Sequence, residues 1–206
     1  KPLIAYTIEK CINSQIFSHV VISTEDDEIA KISKKYGAEV PFMRPKKLAT
    51  DQSGTSEVLL HGVKKLESLG YTFDEIVLRD CTVPFIRNGD VSQAIRKLRK
   101  EKSHAIFGVY RQHLNPYFNM METNSQGYLK LSKKLTNRPI TRQESPVVYQ
   151  LSGLWVLDTK QFLKYRTLMV PKILPYEIPL ETGLMIDTEL EFKIAEFLAR
   201  KNLIKN

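Results

Sequence analysis

EIVLRDCTVPFIRNGDVSQAIRKLRKEKSHAIFGVY, residues Glu75 to Tyr110, is the stretch that decides the fold. It opens near the apolar run Ile76-Val77-Leu78 and closes on a second run, His104 to Tyr110, and both have the length of buried strands. Between them Asn88-Gly89-Asp90 makes a turn, and Val91, Ala94, Ile95 and Leu98 then fall at helical spacing. Strand, helix, strand in this order is the repeating unit of an α/β sheet.

The same rhythm extends upstream. Ile4, Ile8, Cys11 and Ile12 sit at helical spacing after Pro2, a residue suited to a first helical turn. His19 to Ser23 reads as a short strand. Glu25-Asp26-Asp27-Glu28 then opens a helix with acids at its positive end, Lys34-Lys35 close it, and Gly37 follows as its stop. Another helix runs from about Thr55 to Leu69, with Val58, Gly62, Val63, Leu66 and Leu69 on one face and Gly70 beyond it. Downstream, the rhythm breaks at Arg111. The polar stretch to Ser145 carries turn signals such as Ser125-Gln126-Gly127 and no long helix. Strand character returns over Val147 to Leu157, a short helix follows around Gln161 to Tyr165, and a last one spans Thr188 to about Lys201 with Leu190, Ile194, Phe197 and Leu198 expected inward.

The expectation is an α/β, Rossmann-like, mostly parallel sheet with helices on both faces. Residues 1–110 form its nucleotide-binding core, 111–145 an excursion and 146–206 the return to the core. Ligands in such sheets sit at the carboxyl ends of the strands, here after Ser23, Leu78 and Tyr110. The chain opens inside a helix, so roughly twenty residues, one strand and a phosphate-facing loop, are expected upstream.

Composition narrows the function classes. The chain has 206 residues and a formal charge of +8, but its basic residues are scattered, with no stripe interleaved with aromatics, so nucleic acid is not the expected partner. No apolar run approaches the ~20 residues of a membrane span. Cys11 and Cys81 form neither a CxxC nor a zinc pattern, which fits a reduced, cytoplasmic protein. The four histidines make no metal-spaced set, and no Ser-His-Asp arrangement or GxSxG elbow is present.

Several ordered segments resemble the acylneuraminate cytidylyltransferase family. They are Lys1-Pro2-Leu3-Ile4-Ala5-Tyr6-Thr7-Ile8-Glu9, Val21-Ile22-Ser23-Thr24-Glu25-Asp26, Tyr36 to Pro45 (YGAEVPFMRP), Leu48-Ala49-Thr50-Asp51, Arg142-Gln143 and Ile186 to Phe192 (IDTELEF). The resemblance implies a Rossmann-like sheet, CTP as donor, an acidic sugar as acceptor, Mg²⁺, pyrophosphate as product and a homodimer built on the excursion. A glycine- and basic-rich loop that holds the triphosphate lies upstream of the Lys1-Pro2 position in that family.

It also implies site residues, each with a plainer alternative. Asp187 matches a metal-binding aspartate, while Thr188-x-x-Glu191 is by itself a capping box for the last helix. The family's second aspartate falls at Met185, so the usual carboxylate pair is broken. Asp80, after the strand Ile76 to Arg79, can replace it as metal ligand and catalytic group, or can be a turn aspartate. Its surroundings, Arg79-Asp80-Cys81-Thr82-Val83-Pro84, differ from the Gln-Pro-Thr-Ser-Pro type common in sialic acid enzymes. Ser53 and Thr55 match nucleotide contacts or are helix caps. Arg142, Gln143, Tyr149 and Gln150 fall on the substrate side, where Arg142 can grip a carboxylate or phosphate or be a solvated loop charge. Gln150 and Ser152 stand where the family tends to show arginine and asparagine, which leaves the sugar open. The rival readings are a 3-deoxy-octulosonate cytidylyltransferase, a non-catalytic dimeric module and an RNA-binding domain.

Overall fold

The computed structural model describes residues 1–137, 139–201, 203 and 204; residues 138, 202, 205 and 206, which fall within the excursion and at the end of the return, lie outside the described set. The elements that organise the fold follow the sequence punctuation. Helix α1 spans Leu3–Ser14 and α2 Asp27–Lys35, where Asp26 accepts the Ile29 N–H at 2.8 Å as N-cap. Gly37 beyond α2 has φ +95°. Helix α3 spans Thr55–Ser68, strand β1 Glu75–Arg79, helix α4 Asn88–Glu101 and strand β2 Ala105–Arg111. After the short strands β3 (Met121–Thr123) and β4 (Leu129–Leu131) come β5 (Tyr149–Asp158), α5 (Thr159–Tyr165), β6 (Ile173–Glu177) and α6 (Glu189–Arg200).

The main sheet has the order β1-β5-β2-β6. Strand β5 runs antiparallel to both β1 and β2, and β6 runs parallel to β2, so three of the four strands point one way and β5 the other. Ala105 to Tyr110 of β2 are all buried, as befits an interior strand covered on both faces. Ile106, Leu154 and Val156 face α4 and its Val91, Ala94, Ile95 and Leu98, together with Val83 and Ile86 from the β1–α4 loop. Ala105, Phe107, Val109 and Leu157 face the other side, against Val63 of α3 and Phe162 of α5. The two-residue alternation along β2 thus divides the core between two helical layers.

Three expectations need correction. Asn88-Gly89-Asp90, read as a turn, is the first turn of α4, where the Asp90 carboxylate suits the positive end of the helix. The strand read over His19 to Ser23 is reduced to an isolated parallel bridge, Val21 with Glu39, flanked by Glu39 N–H to Val20 O (2.8 Å) and Ile22 N–H to Glu39 O (2.9 Å). Its apolar run is intact; what limits it is one short partner segment. The inward residues of α6 are also wrong. Leu190 is 68% exposed, Phe197 55% and Ile194 42%, Leu198 is half-buried, and Ala195 is the buried residue of that helix. Helical spacing finds an apolar stripe but does not say that the chain's own sheet covers it.

Between Arg111 and Tyr149 the chain leaves the sheet and forms the β3–β4 hairpin, turning through Gly127 at φ +83°. The neck is tied by Gln112 N–H to Val148 O (3.1 Å), by Gln112 to Gln150 through their side chains (2.6 Å) and by buried Asn115, whose amide donates to Pro146 O at 2.9 Å. No helix among the described residues is long and apolar enough to cross a membrane.

Candidate active site

Asp80 follows the last residue of β1, at the strand end where α/β sheets place ligands. Its N–H donates to Gly153 O at 2.9 Å, which extends the β1–β5 ladder by one residue and fixes the start of the loop. The chain then turns, with Val83 N–H to Asp80 O at 3.2 Å, and buries Val83 and Ile86 in the core. Ile186 N–H donates to Thr82 O at 2.9 Å. That bond lays the segment before α6 along the Asp80 loop and delivers Asp187 one residue later.

The two carboxylates therefore share one corner. Burial, and then the negative charge of Asp187, raise Asp80 from its ordinary 3.8 to about 6. The Cys81 thiol is raised too, by burial first and by Asp80 second. Asp187 is exposed and its carboxylate is not used by the helix cap. The cap belongs to its neighbours: Thr188 Oγ1 accepts the Glu191 N–H at 3.3 Å, and Glu191 accepts the N–H groups of Asp187 (2.9 Å) and Thr188 (2.7 Å). The metal and capping readings of this sequence thus fall on different side chains. Met185, where a second aspartate was sought, packs against the apolar core around Val83 and Ile86.

Gly153 backs the corner and was missed from sequence. It has φ +68°, and a Cβ there would lie 2.8 Å from Val83 Cγ2 and 3.0 Å from Asp80 Cβ. The left-handed backbone and the contact both require glycine. Gly153→Ala is expected to destabilise the protein by about 2–4 kcal/mol, from backbone strain plus overpacking, and to displace Asp80. Chemical denaturation checks the first effect and Mg²⁺ titration the second; unchanged stability would disprove the contact.

The remaining candidates are more dispersed. Ser53 does not cap α3: the N-cap is Gly54, and Ser53 Oγ instead donates to Lys47 O (3.2 Å) and pairs with Thr50 Oγ1 (3.0 Å), while Thr55 is the exposed first residue of the helix. Tyr149 OH donates to Glu177 at 2.7 Å, and Arg111 donates to the same carboxylate at 2.9 Å. Gln150 accepts from Gln112, and Arg142 and Gln143 are exposed residues of the excursion. Ser152 is fully buried and its hydroxyl has no partner among the described residues. Among those residues no hydrogen bond or ion pair joins Ser53, Thr55 or Arg142 to the Asp80–Asp187 corner.

Comparison with known proteins adds to this geometry. The chain is 32% identical over 204 residues to the post-translational flagellin modification protein B of Campylobacter coli, covering 98% of this chain and 86% of that protein. It is 29% identical over 205 residues to the pseudaminic acid cytidylyltransferase of Campylobacter jejuni, covering 98% and 87%, and 31% identical over 204 residues to the CMP-N,N'-diacetyllegionaminic acid synthase of the same species, covering 98% and 86%. Among solved structures, CMP:2-keto-3-deoxy-manno-octonic acid synthetase complexed with CTP superposes with a TM-score of 0.70 at 14% identity, covering 98% of this chain and 89% of that one, a likeness of fold. The sequence profile described as Cytidylyltransferase matches residues 1–182, and the chain belongs to that family.

Proposed function

We propose that this chain transfers a cytidylyl group from CTP to a nonulosonic acid and releases pyrophosphate. The observation that carries the reading is the Asp80–Asp187 corner at the carboxyl end of β1, in a chain whose family is the cytidylyltransferases. The class of acceptor rests on relatives whose names specify pseudaminic and legionaminic acids.

The corner fits Mg²⁺. Two carboxylates that repel one another, in a chain whose described residues form no group of three or more His, Cys, Asp or Glu able to hold a metal, suit a hard cation that keeps several waters and takes its other ligands from phosphates. When bound, the cation would neutralise charge on the phosphate oxygens. In the reaction a sugar hydroxyl attacks the α-phosphorus of CTP. The new O–P bond forms as the bond to the bridging oxygen breaks, pyrophosphate leaves with that electron pair, and the hydroxyl proton passes to water. No protein nucleophile is needed; the protein's contribution is position and electrostatics. Asp80 and Asp187 would hold the cation, Ser53 and Thr55 would contact the nucleotide, and Arg142, Gln143, Tyr149 and Gln150 would contact the sugar, with Arg142 gripping its carboxylate.

The test is pyrophosphate release from CTP with a panel of acidic sugars, 3-deoxy-octulosonate included, with and without EDTA. Mg²⁺-dependent release with a nonulosonic acid is expected. Release with 3-deoxy-octulosonate alone would move the acceptor to the other sugar class, and no release with any would end the reading.

The same reading includes a homodimer. Leu114, Met120, Met121, Leu129 and Ile140 of the excursion are exposed, Ile140 by 86%, and a two-fold partner would cover them. Leu129→Asp, on the hairpin, is expected to shift a sedimenting dimer to monomer at micromolar protein. A monomeric wild type would defeat the assignment.

A further inference from the structure

Arg79 and Asp80 are neighbours at the end of β1, so their side chains leave opposite faces of the sheet. Asp80 meets Gly153 and Asp187. Arg79 reaches the other way, to α1 and the far end of its own loop: Nη2 donates to Ile86 O at 3.2 Å and Nη1 lies 3.5 Å from Cys11 Sγ. From α1, Lys10 Nζ donates to Phe85 O at 3.3 Å and to the same Ile86 O at 3.4 Å. Asn88 returns a bond from α4, its amide donating to Lys10 O at 3.0 Å.

Two cations thus converge on one short piece of backbone. Neither forms an ion pair with an acid among the described residues. Burial, then Arg79 and Arg87, push Lys10 down from 10.5 to about 8, which registers the cost of keeping these charges together away from water. The carbonyls they meet have few alternatives. The Ile86 side chain is fully buried, and an unpaired carbonyl beside it would itself be costly.

The piece so held is the distal half of the loop Asp80–Arg87. The proximal half is anchored at Gly153 O and, through Thr82 O, at Ile186. The loop is therefore stretched between a sheet anchor and a cation anchor, and it both carries Asp80 and seats the Asp187 segment. We propose that Arg79 and Lys10 are positioning residues that act through the carbonyls of Phe85 and Ile86 to fix the spacing of the two carboxylates. The proposal rests on reading Asp80 and Asp187 as the metal pair.

The experiment compares Arg79→Gln and Lys10→Met with wild type and with the conservative Lys10→Arg. Hydrogen exchange of the amides of residues 81–83 and 85–87 is followed in the metal-free protein, and Mg²⁺ half-saturation is measured in the transfer assay. Exchange is expected to quicken about tenfold or more in Arg79→Gln and Lys10→Met. Mg²⁺ half-saturation should rise about tenfold or more, the low end of the scale on which residues that orient metal ligands act, while kcat at saturating Mg²⁺ falls less than about threefold. Lys10→Arg should behave as wild type in both measurements. Lower thermal stability with unchanged exchange and unchanged half-saturation would leave the pair a mere structural tie and overturn the proposal. Quickened exchange with unchanged half-saturation would overturn it as well, since the loop would then move without the carboxylates following. Should Arg79→Gln fail to fold, Lys10→Met carries both readouts. A wild type without transfer activity would refute the functional reading and not the anchoring, which the exchange measurement reports independently.

Discussion

Asp187→Asn is expected to lower Mg²⁺-dependent turnover by about a thousandfold or more and to leave thermal stability within about a degree of wild type. The substitution removes a charge with little change of volume. Loss of a charge that holds a cation against a transferring phosphoryl group costs several kcal/mol of barrier, and every ~1.4 kcal/mol is tenfold in rate. Stability should hold because the start of α6 is capped by Thr188 and Glu191, and Asp187 contributes a backbone N–H that asparagine keeps. Thermal melting and pyrophosphate release on the same preparation decide it. Wild-type turnover with a lowered melting temperature would make Asp187 part of the cap and remove it from the metal site.

Asp80→Asn is expected to lose turnover on a similar scale while making the metal-free protein more stable at neutral pH. Asp80 titrates near 6 in the folded chain against an ordinary 3.8. Between those values the folded state binds more protons than the unfolded state, so stability falls as pH rises through the window, and the penalty is complete above about 6. Asparagine removes it. The shift corresponds to at most about 3 kcal/mol, and about 1–2 kcal/mol after allowance for partial exposure, or a few degrees in a chain of this size. Mg²⁺ should raise the wild-type melting temperature and leave that of the variant unmoved. Its half-saturation should climb as pH drops below 6, where protons compete for the same carboxylate. A variant that melts lower than wild type at pH 7 would show that Asp80 supports the fold and carries no net penalty from burial and from the Asp187 charge.

The sequence made the sheet core legible because its signals were local. The runs Ile76-Val77-Leu78 and His104 to Tyr110, and the helical period between them, are local, and β1 and β2 appear where they place them, while α4 starts earlier than read because Asn88-Gly89-Asp90 is its first turn. The orientation of β5 was not legible, since an apolar run reads the same in either direction. Nor was the partner of α6: Leu190, Ile194 and Phe197 mark a stripe whose cover is a tertiary matter. At the site, both aspartates were recognisable as residues. Their meeting depends on the Thr82–Ile186 hydrogen bond, a contact across about a hundred residues that spacing cannot reveal. Ser53 looked like a cap because it precedes a helix, yet Gly54 takes that position and the Ser53 hydroxyl serves its own loop.

The place of β5 between β1 and β2 bears on how the chain acquires its structure. Strands β1 and β2 touch β5 and not each other, so neither can pair with β5 until the chain has been made past Asp158, and Glu75 must close a loop of about eighty residues to meet it. A nascent chain that ends within the excursion carries two apolar strands whose β5-facing edges are open. Refolding should accordingly be slow for a domain of this size and prone to aggregation at high protein concentration, with the β5 amides gaining protection together with those of β1 and β2 in a single late step. Pulse-labelling exchange during refolding would show whether the three strands are protected as one unit.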